Sequence, residues 1–168
     1  MINNDVNAGN FIYCTTHWGP YESRLFHNVG NGLRHDYTYL IDGKLKIEFR
    51  NTEDGEVVET IDSTQVNYKL LNYEDKADYQ TVITETEGCT AMFFNPLDSS
   101  KKIKVDILNA GAHTITATDK RITLVGVIRT ININNIELLP MQHAIVFPGK
   151  TAQLVIPENG VCAAVSYL

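Results

Sequence analysis

Residues Asp36–Arg50, DYTYLIDGKLKIEFR, decide the fold. Beyond Asp42-Gly43, the apolar Leu45, Ile47 and Phe49 alternate with Lys44, Lys46, Glu48 and Arg50. Successive side chains of a strand point to opposite faces, so this spacing predicts a half-buried antiparallel strand. Before the Asp-Gly pair, Tyr37 and Tyr39 share one face and Thr38 takes the other, and both residue types favour extended backbone. Asp-Gly between two such runs is turn chemistry, so the stretch reads as strand, tight turn, strand.

The pattern continues along the chain. KIKVDIL alternates through Ile103, Val105 and Ile107, and TININ through Ile131 and Ile133. HAIVF, AQLVI and VCAAVSYL are nearly continuous apolar runs, rich in β-branched and aromatic residues, which predicts more deeply buried strands. Turn signals recur at Asp54-Gly55, Glu87-Gly88, Pro148-Gly149 and Asn159-Gly160. The best helix candidate, Asp62–Tyr73, itself alternates through Val66, Tyr68 and Leu70. Short strands at turn-punctuated intervals predict an all-β sandwich or barrel.

With 168 residues, 43% of them hydrophobic, the chain can bury one sizeable core or two small ones. Its net charge of −6 and scattered lysines and arginines exclude a nucleic-acid backbone as partner. No apolar run reaches the length of about 20 residues that crosses a bilayer as a helix, so no membrane partner is expected. The polar opening MINNDVNAGN lacks the build of a signal peptide, which predicts a soluble protein of a reducing compartment. That is the cytoplasm, or a virion if the gene is a phage's. Cys14, Cys89 and Cys162 are odd in number and widely spaced, so they predict buried free thiols rather than disulfides or a zinc site.

The chain also repeats itself. YQTVITETEGCTAMFF from Tyr79 and AQLVIPENGVCAAVSY from Ala152 align at an offset of 73, matching Gln80 to Gln153, Val82 to Val155, Ile83 to Ile156, Glu85 to Glu158 and Cys89 to Cys162. Upstream, Asp36 and Gly43 correspond to Asp119 and Gly126 at an offset of 83. The first half therefore carries about ten more residues, which fit the polar excursion RNTEDGEVVETIDST. The division expected is an N-terminal arm over 1–10, a first half over 11–98 and a second over 99–168.

Two β-rich halves with this glycine spacing resemble a small bicupin, two double-stranded β-helix jelly rolls in one chain. The family's first motif places a glycine five residues before H-x-H, then a Glu, then a closing Gly. Here Asp36 and Gly43, and again Asp119 and Gly126, take the Glu and Gly positions. The histidine positions of the first half fall on Gly30 and Gly32, or on Val29 and Asn31, while in the second half His113 matches and Ile115 displaces the other. The second motif, P-x-G-x-x-H, resembles PGKTAQ, which puts Gln153 on the histidine. The first-row metals prefer imidazole and carboxylate to an amide carbonyl. The resemblance thus implies the fold without its metal, no cofactor, and a duplicated glutamine, Gln80 and Gln153, as a buried amide bonding across each barrel.

Other constellations are weaker. His17, His27 and His35 match no metal-ligand spacing, and Cys14 near His17 lacks a third orienting group. NVGNGLR is not followed by the Lys-Ser or Lys-Thr of a phosphate loop. His35, Asp36 and Tyr37 supply the residue types of metal-free sugar epimerases, but neighbours in a strand point apart. The candidate ligand-binding residues are therefore Tyr37, Tyr39, Gln80, His113, Asp119 and Gln153, with no metal ligand and no assigned catalytic residue. The function expected is non-catalytic, either small-molecule binding or assembly, with self-association into a dimer or larger. The alternatives are a metal-dependent isomerase or dioxygenase and a metal-free epimerase.

Overall fold

The computed structural model describes residues 5–27, 37–50, 55–63, 70–72, 79–98 and 100–168. They contain β-strands and no helix: β1 (Val6–Asn7), β2 (Phe11–Trp18), β3 (Ser23–His27), β4 (Tyr37–Gly43), β5 (Lys46–Arg50), β6 (Val57–Asp62), β7 (Leu70–Asn72), β8 (Tyr79–Ile83), β9 (Cys89–Pro96), β10 (Ile103–Leu108), β11 (Gly111–Thr116), β12 (Ile122–Ile128), β13 (Ile131–Ile133), β14 (Ile136–Leu138), β15 (His143–Val146), β16 (Thr151–Ile156) and β17 (Val161–Tyr167). The proposed helix candidate contributes β7 at its C-terminal end, and its residues 64–69 lie outside the described residues.

The strands form four sheets, β1-β2-β9-β4-β7, β3-β8-β5-β6, β10-β17-β12-β15 and β11-β16-β13-β14. Numbered from one to eight within each half, from β2 and from β10, both halves have the orders 1-8-3-6 and 2-7-4-5. That is the jelly-roll connectivity expected, met twice. The residues matched in sequence occupy equivalent strands: Gln80 and Gln153 the seventh, Cys89 and Cys162 the eighth, Gly43 and Gly126 the third. The longer first half owes much of its excess to the hairpin of β5 and β6, which runs from 46 to 62 against 131 to 138 for β13 and β14.

The molecule divides into two compact units, Met1–Asp5 with Tyr13–Asn95 and Val6–Ile12 with Pro96–Leu168. In the first, Cys14, Trp18, Leu40, Cys89, Ala91 and Phe93 of one sheet meet Ile47, Phe49 and Val82 of the other. In the second, Leu124, Val146, Cys162 and Ala164 meet Ile131, Ile133, Leu138, Ala152, Leu154 and Ile156. Burying one such aliphatic or aromatic side chain contributes about 1.5–3 kcal/mol, which makes these two fillings the main source of cohesion.

Three expectations are refined. Asp36–Arg50 does hold a strand, a turn and a strand, but the two strands do not pair with each other: β4 pairs with β7 and β9, whereas β5 pairs with β6 and β8. The chain crosses here from one sheet to the other, because the same alternation serves strands in either sheet. Gly43 allows this at φ +81°, where a Cβ would stand 2.0 Å from the Gly88 carbonyl oxygen. Its counterpart Gly126 would meet the Leu139 carbonyl oxygen at 2.4 Å. Second, β16 is half-buried rather than deeply buried: Ala152, Leu154 and Ile156 are buried while Thr151, Gln153 and Val155 are exposed. Third, residues 6–10 are no free arm. Val6–Asn7 is an edge strand, Ala8 is buried, and the Asn10 carbonyl accepts hydrogen bonds from the Leu97 amide and the Tyr167 hydroxyl. Polar composition misled here because backbone groups, not side chains, tie the segment down.

Gly126→Ala should lower the unfolding free energy by about 3 kcal/mol, since a backbone oxygen cannot give way. Gly149, at φ +78° with no atom within 4 Å of an added Cβ, should lose only about 1–2 kcal/mol on mutation to Ala, the cost of left-handed backbone. Urea unfolding of the two variants checks the contrast.

Candidate functional site

Among the described residues of the first barrel the inward positions are packing. Thr38 and Leu40 are buried on β4, and Leu40 belongs to the cluster with Phe49, Phe93 and Trp18. Tyr37 and Tyr39 point the other way, with Tyr39 buried and in register with Met92, whose neighbour Phe94 packs its ring 6.4 Å from that of Tyr13. Burial raises the phenol pKa of Tyr39, and of Tyr13 to about 12. Neither Tyr37 nor Tyr39 therefore lines the barrel interior. Gln80 stands in β8 in register with Phe26 and Phe49.

The cysteines are all free and buried. Desolvation pushes the thiols of Cys14 and Cys89 up to about 11 and that of Cys162 to about 12. A nucleophile needs the thiolate, so the pairing of Cys14 with His17 does not arise. His17 is exposed and hydrogen-bonds through Nδ1 to the Thr90 hydroxyl at 2.8 Å, while Cys14 faces the core. Of the other two histidines, His27 lies in β3 and His35 lies outside the described residues, as does Asp36 of the epimerase-like trio.

In the second barrel, His113 is half-buried on β11, with Nε2 2.7 Å from the Asn109 carbonyl oxygen. Asp119 is exposed in the turn before β12. Gln153 is exposed on the outer face of β16, where its Oε1 accepts a hydrogen bond from the Thr114 hydroxyl at 2.8 Å. It is not a buried amide. A strand residue next to a buried one must point outward, and the inward place beside the Pro148-Gly149 turn belongs to Ala152, which is 2% exposed.

An open feature of this barrel is a groove of about 240 Å³ between β14 and β15, edge strands of its two sheets. Ile133, Leu138, Val146 and Ala152, all core residues, form its floor. Ile136 and Phe147, 71% and 60% exposed, stand at the mouth with Asn134, Glu137 and Lys150. Sequence reading assigned HAIVF to a buried strand and missed this site. The signal available was Phe147 itself, an aromatic residue directly before a Pro-Gly turn, where it leaves the strand and meets solvent.

No protein-family model matches the sequence, and no curated protein matches it. Solved structures do match. The oxalate decarboxylase of Lactobacillus farciminis in its formate complex aligns with a TM-score of 0.63 at 7% identity, over 97% of this chain and 79% of its own. The protein YhaK from Escherichia coli aligns at 0.61 and 8% identity, over 94% and 86%. A conserved protein of unknown function from Pseudomonas aeruginosa aligns at 0.60 and 12% identity, over 97% and 86%. This is the cupin fold. At such identities the likeness carries the architecture alone, with two jelly rolls in one chain.

The metal of the cupin fold does not fit the residues present. Counted from Gly149, the histidine position of the second motif falls on Ala152, a methyl group inside the groove. His113 is bound to a carbonyl, Asp119 lies in an exposed turn, and Gln153 faces outward. Among the described residues no three His, Cys, Asp or Glu side chains come together so as to hold an ion. The first-half motif positions, 29–32, lie outside the described residues.

Native protein at pH 8 should leave all three thiols unreacted with 5,5′-dithiobis(2-nitrobenzoate) over a period in which urea-unfolded chain reacts fully. The raised thiol values also set a pH dependence. An unfolded thiol near 9 deprotonates before a folded one at about 11, so this contribution to stability is complete below pH 9 and declines as pH rises towards 11. Urea midpoints between pH 8 and 10.5 measure it.

Proposed function

We propose that this chain is a non-catalytic cupin-fold protein that works by binding, with the groove of the second barrel as its ligand site. One observation supports the reading most: Ala152 takes the inward place next to the Pro148-Gly149 turn, and the groove floor around it is aliphatic. General acid–base or metal chemistry requires convergent ionisable groups, and this floor offers methyl groups instead. Oxalate decarboxylation, the activity named for the Lactobacillus farciminis structure, is not carried over.

A site of about 240 Å³ is smaller than the usual drug-sized pocket of about 300–1,000 Å³. Its ligand class is a small, mainly apolar molecule. Burial against the floor supplies affinity, and the Glu137 carboxylate and Lys150 ammonium at the rim orient any polar end. No helix among the described residues is long and apolar enough to cross a membrane, and the reading involves neither membrane nor nucleic acid.

Two measurements test it. Titration with 8-anilinonaphthalene-1-sulfonate should give saturable fluorescence, one probe per chain, and Phe147→Ala with Ile136→Ala should weaken it about tenfold, in line with the apolar area removed. Elemental analysis of untagged, dialysed protein should find no stoichiometric iron, manganese, nickel or zinc. A retained ion would return the protein to the metal-dependent isomerase or dioxygenase class, and unaltered probe binding in the double variant would move the site elsewhere.

A further inference from the structure

Every open sheet ends in strands whose unpaired N–H and C=O groups are templates for another strand, and proteins protect these edges with charge, proline, bulges or shortness. In the second half the edges are β10, β15, β11 and β14. β10 carries Lys104 and Asp106, ion-paired at 3.2 Å. β14 has three residues and β15 four. β11 has six residues, GAHTIT, with no Lys, Arg, Asp, Glu or Pro, and its register with β16 runs unbroken from Gly111↔Ile156 to Thr116↔Thr151. The equivalent edge of the first half, β3, does carry a charge: Arg24, paired with Glu22 at 3.2 Å and lying 4.2 Å over the Trp18 ring. The device that protects β3 is missing from β11.

The hydrogen-bonding direction of β11 follows from its end. The Ala117 amide donates to the Lys150 carbonyl at 3.0 Å, and paired residues of an antiparallel ladder alternate between bonded and non-bonded. Ala117, Ile115 and His113 therefore direct their backbone groups to β16, and Thr116, Thr114 and Ala112 direct theirs outward. The side chains agree. Thr114 with Gln153 and Thr116 with Thr151 touch across the ladder at 2.8 and 2.9 Å, as the more closely spaced non-bonded pairs do. Among the described residues nothing bonds to the outward backbone groups of Ala112, Thr114 and Thr116.

We propose that two copies of this chain pair through β11, antiparallel, about a two-fold axis at Thr114. In that register Thr114 stands opposite the same residue of the second copy and Ala112 opposite Thr116. The three pairs exchange about six backbone hydrogen bonds and join two four-stranded sheets into one. An antiparallel edge is its own complement under a two-fold operation, which is the symmetry of most homodimers. Charge favours the same occupant. The whole chain carries −6 and repels its copies, but β11 is neutral, and in the continued register Asp119 meets Asn109 rather than a like charge. Thr114 meeting Thr114 is also a favourable cross-strand pair. The groove lies at the opposite edge of this sheet, at β14, so pairing leaves it open and does not depend on it.

Sedimentation equilibrium of the full chain over a concentration series should return twice the chain mass of 18.8 kDa. Thr114→Pro removes the outward N–H while sparing every backbone bond to β16, and Thr114→Lys sets two like charges face to face; both variants lose the Thr114 hydroxyl bond to Gln153. Each should raise the dimer dissociation constant at least a hundredfold with an unchanged circular dichroism spectrum. Hydrogen exchange should show the Thr114 and Thr116 amides protected in the parent dimer and fast in Thr114→Lys. A parent chain that is monomeric throughout, or a dimer that survives Thr114→Lys with both amides still exchanging fast, overturns the proposal. Should Thr114→Pro misfold, Thr114→Lys decides alone.

Discussion

Each half of this molecule rests on one constraint: two antiparallel sheets must close over an interior small enough for their own side chains to fill. Ile47, Phe49, Val82 and Phe93 fill the first and Leu124, Ile131, Leu154 and Cys162 the second, all at most 2% exposed. Close-packed protein interiors leave few voids. Among the described residues the two interiors behave as cores, and the groove lies at their edge.

The corners enforce that closure. For the chain to leave one sheet and enter the other without opening the core, its backbone must pass a carbonyl oxygen at a distance no side chain tolerates, at Gly43 against Gly88 and at Gly126 against Leu139. An acidic residue and a closing glycine at this spacing resemble part of the first cupin motif, yet Gly43 and Gly126 each have a backbone reason to be glycine, the carbonyl oxygen that an added Cβ would meet. The thiols point the same way. In this interior the favoured form of Cys162 is the neutral one, held by burial, which suits a small hydrophobe.

The groove and the edge differ in physics. The groove between β14 and β15 is a gap in side-chain filling, where apolar burial would supply the energy of the proposed binding. The edge at β11 is a gap in backbone pairing, where hydrogen bonds would set the register and direction of the proposed dimer. Neither proposal draws on a charged residue inside the barrel.

Much of the architecture was legible in the sequence alone, and the reason is periodicity. Leu45, Ile47 and Phe49 against Lys46, Glu48 and Arg50 announced a two-faced strand, and the matched Gln80/Gln153, Cys89/Cys162 and Gly43/Gly126 pairs fell in equivalent strands. Alternation states that neighbours part, but not which sheet a strand joins or which face turns inward. Hence the turn at Asp42-Gly43 does not reveal that its two strands join different sheets, and the motif count puts Gln153 into an interior that belongs to Ala152. The groove was illegible for a related reason: Ile133, Val146 and Ala152 are distant in sequence and become one surface only when two sheet edges stand apart. Sequence determined the strands and the alternation of their two faces, because these follow from local spacing. Tertiary structure alone decided what is inside, what is open and which edge goes unguarded, because those depend on long-range pairing.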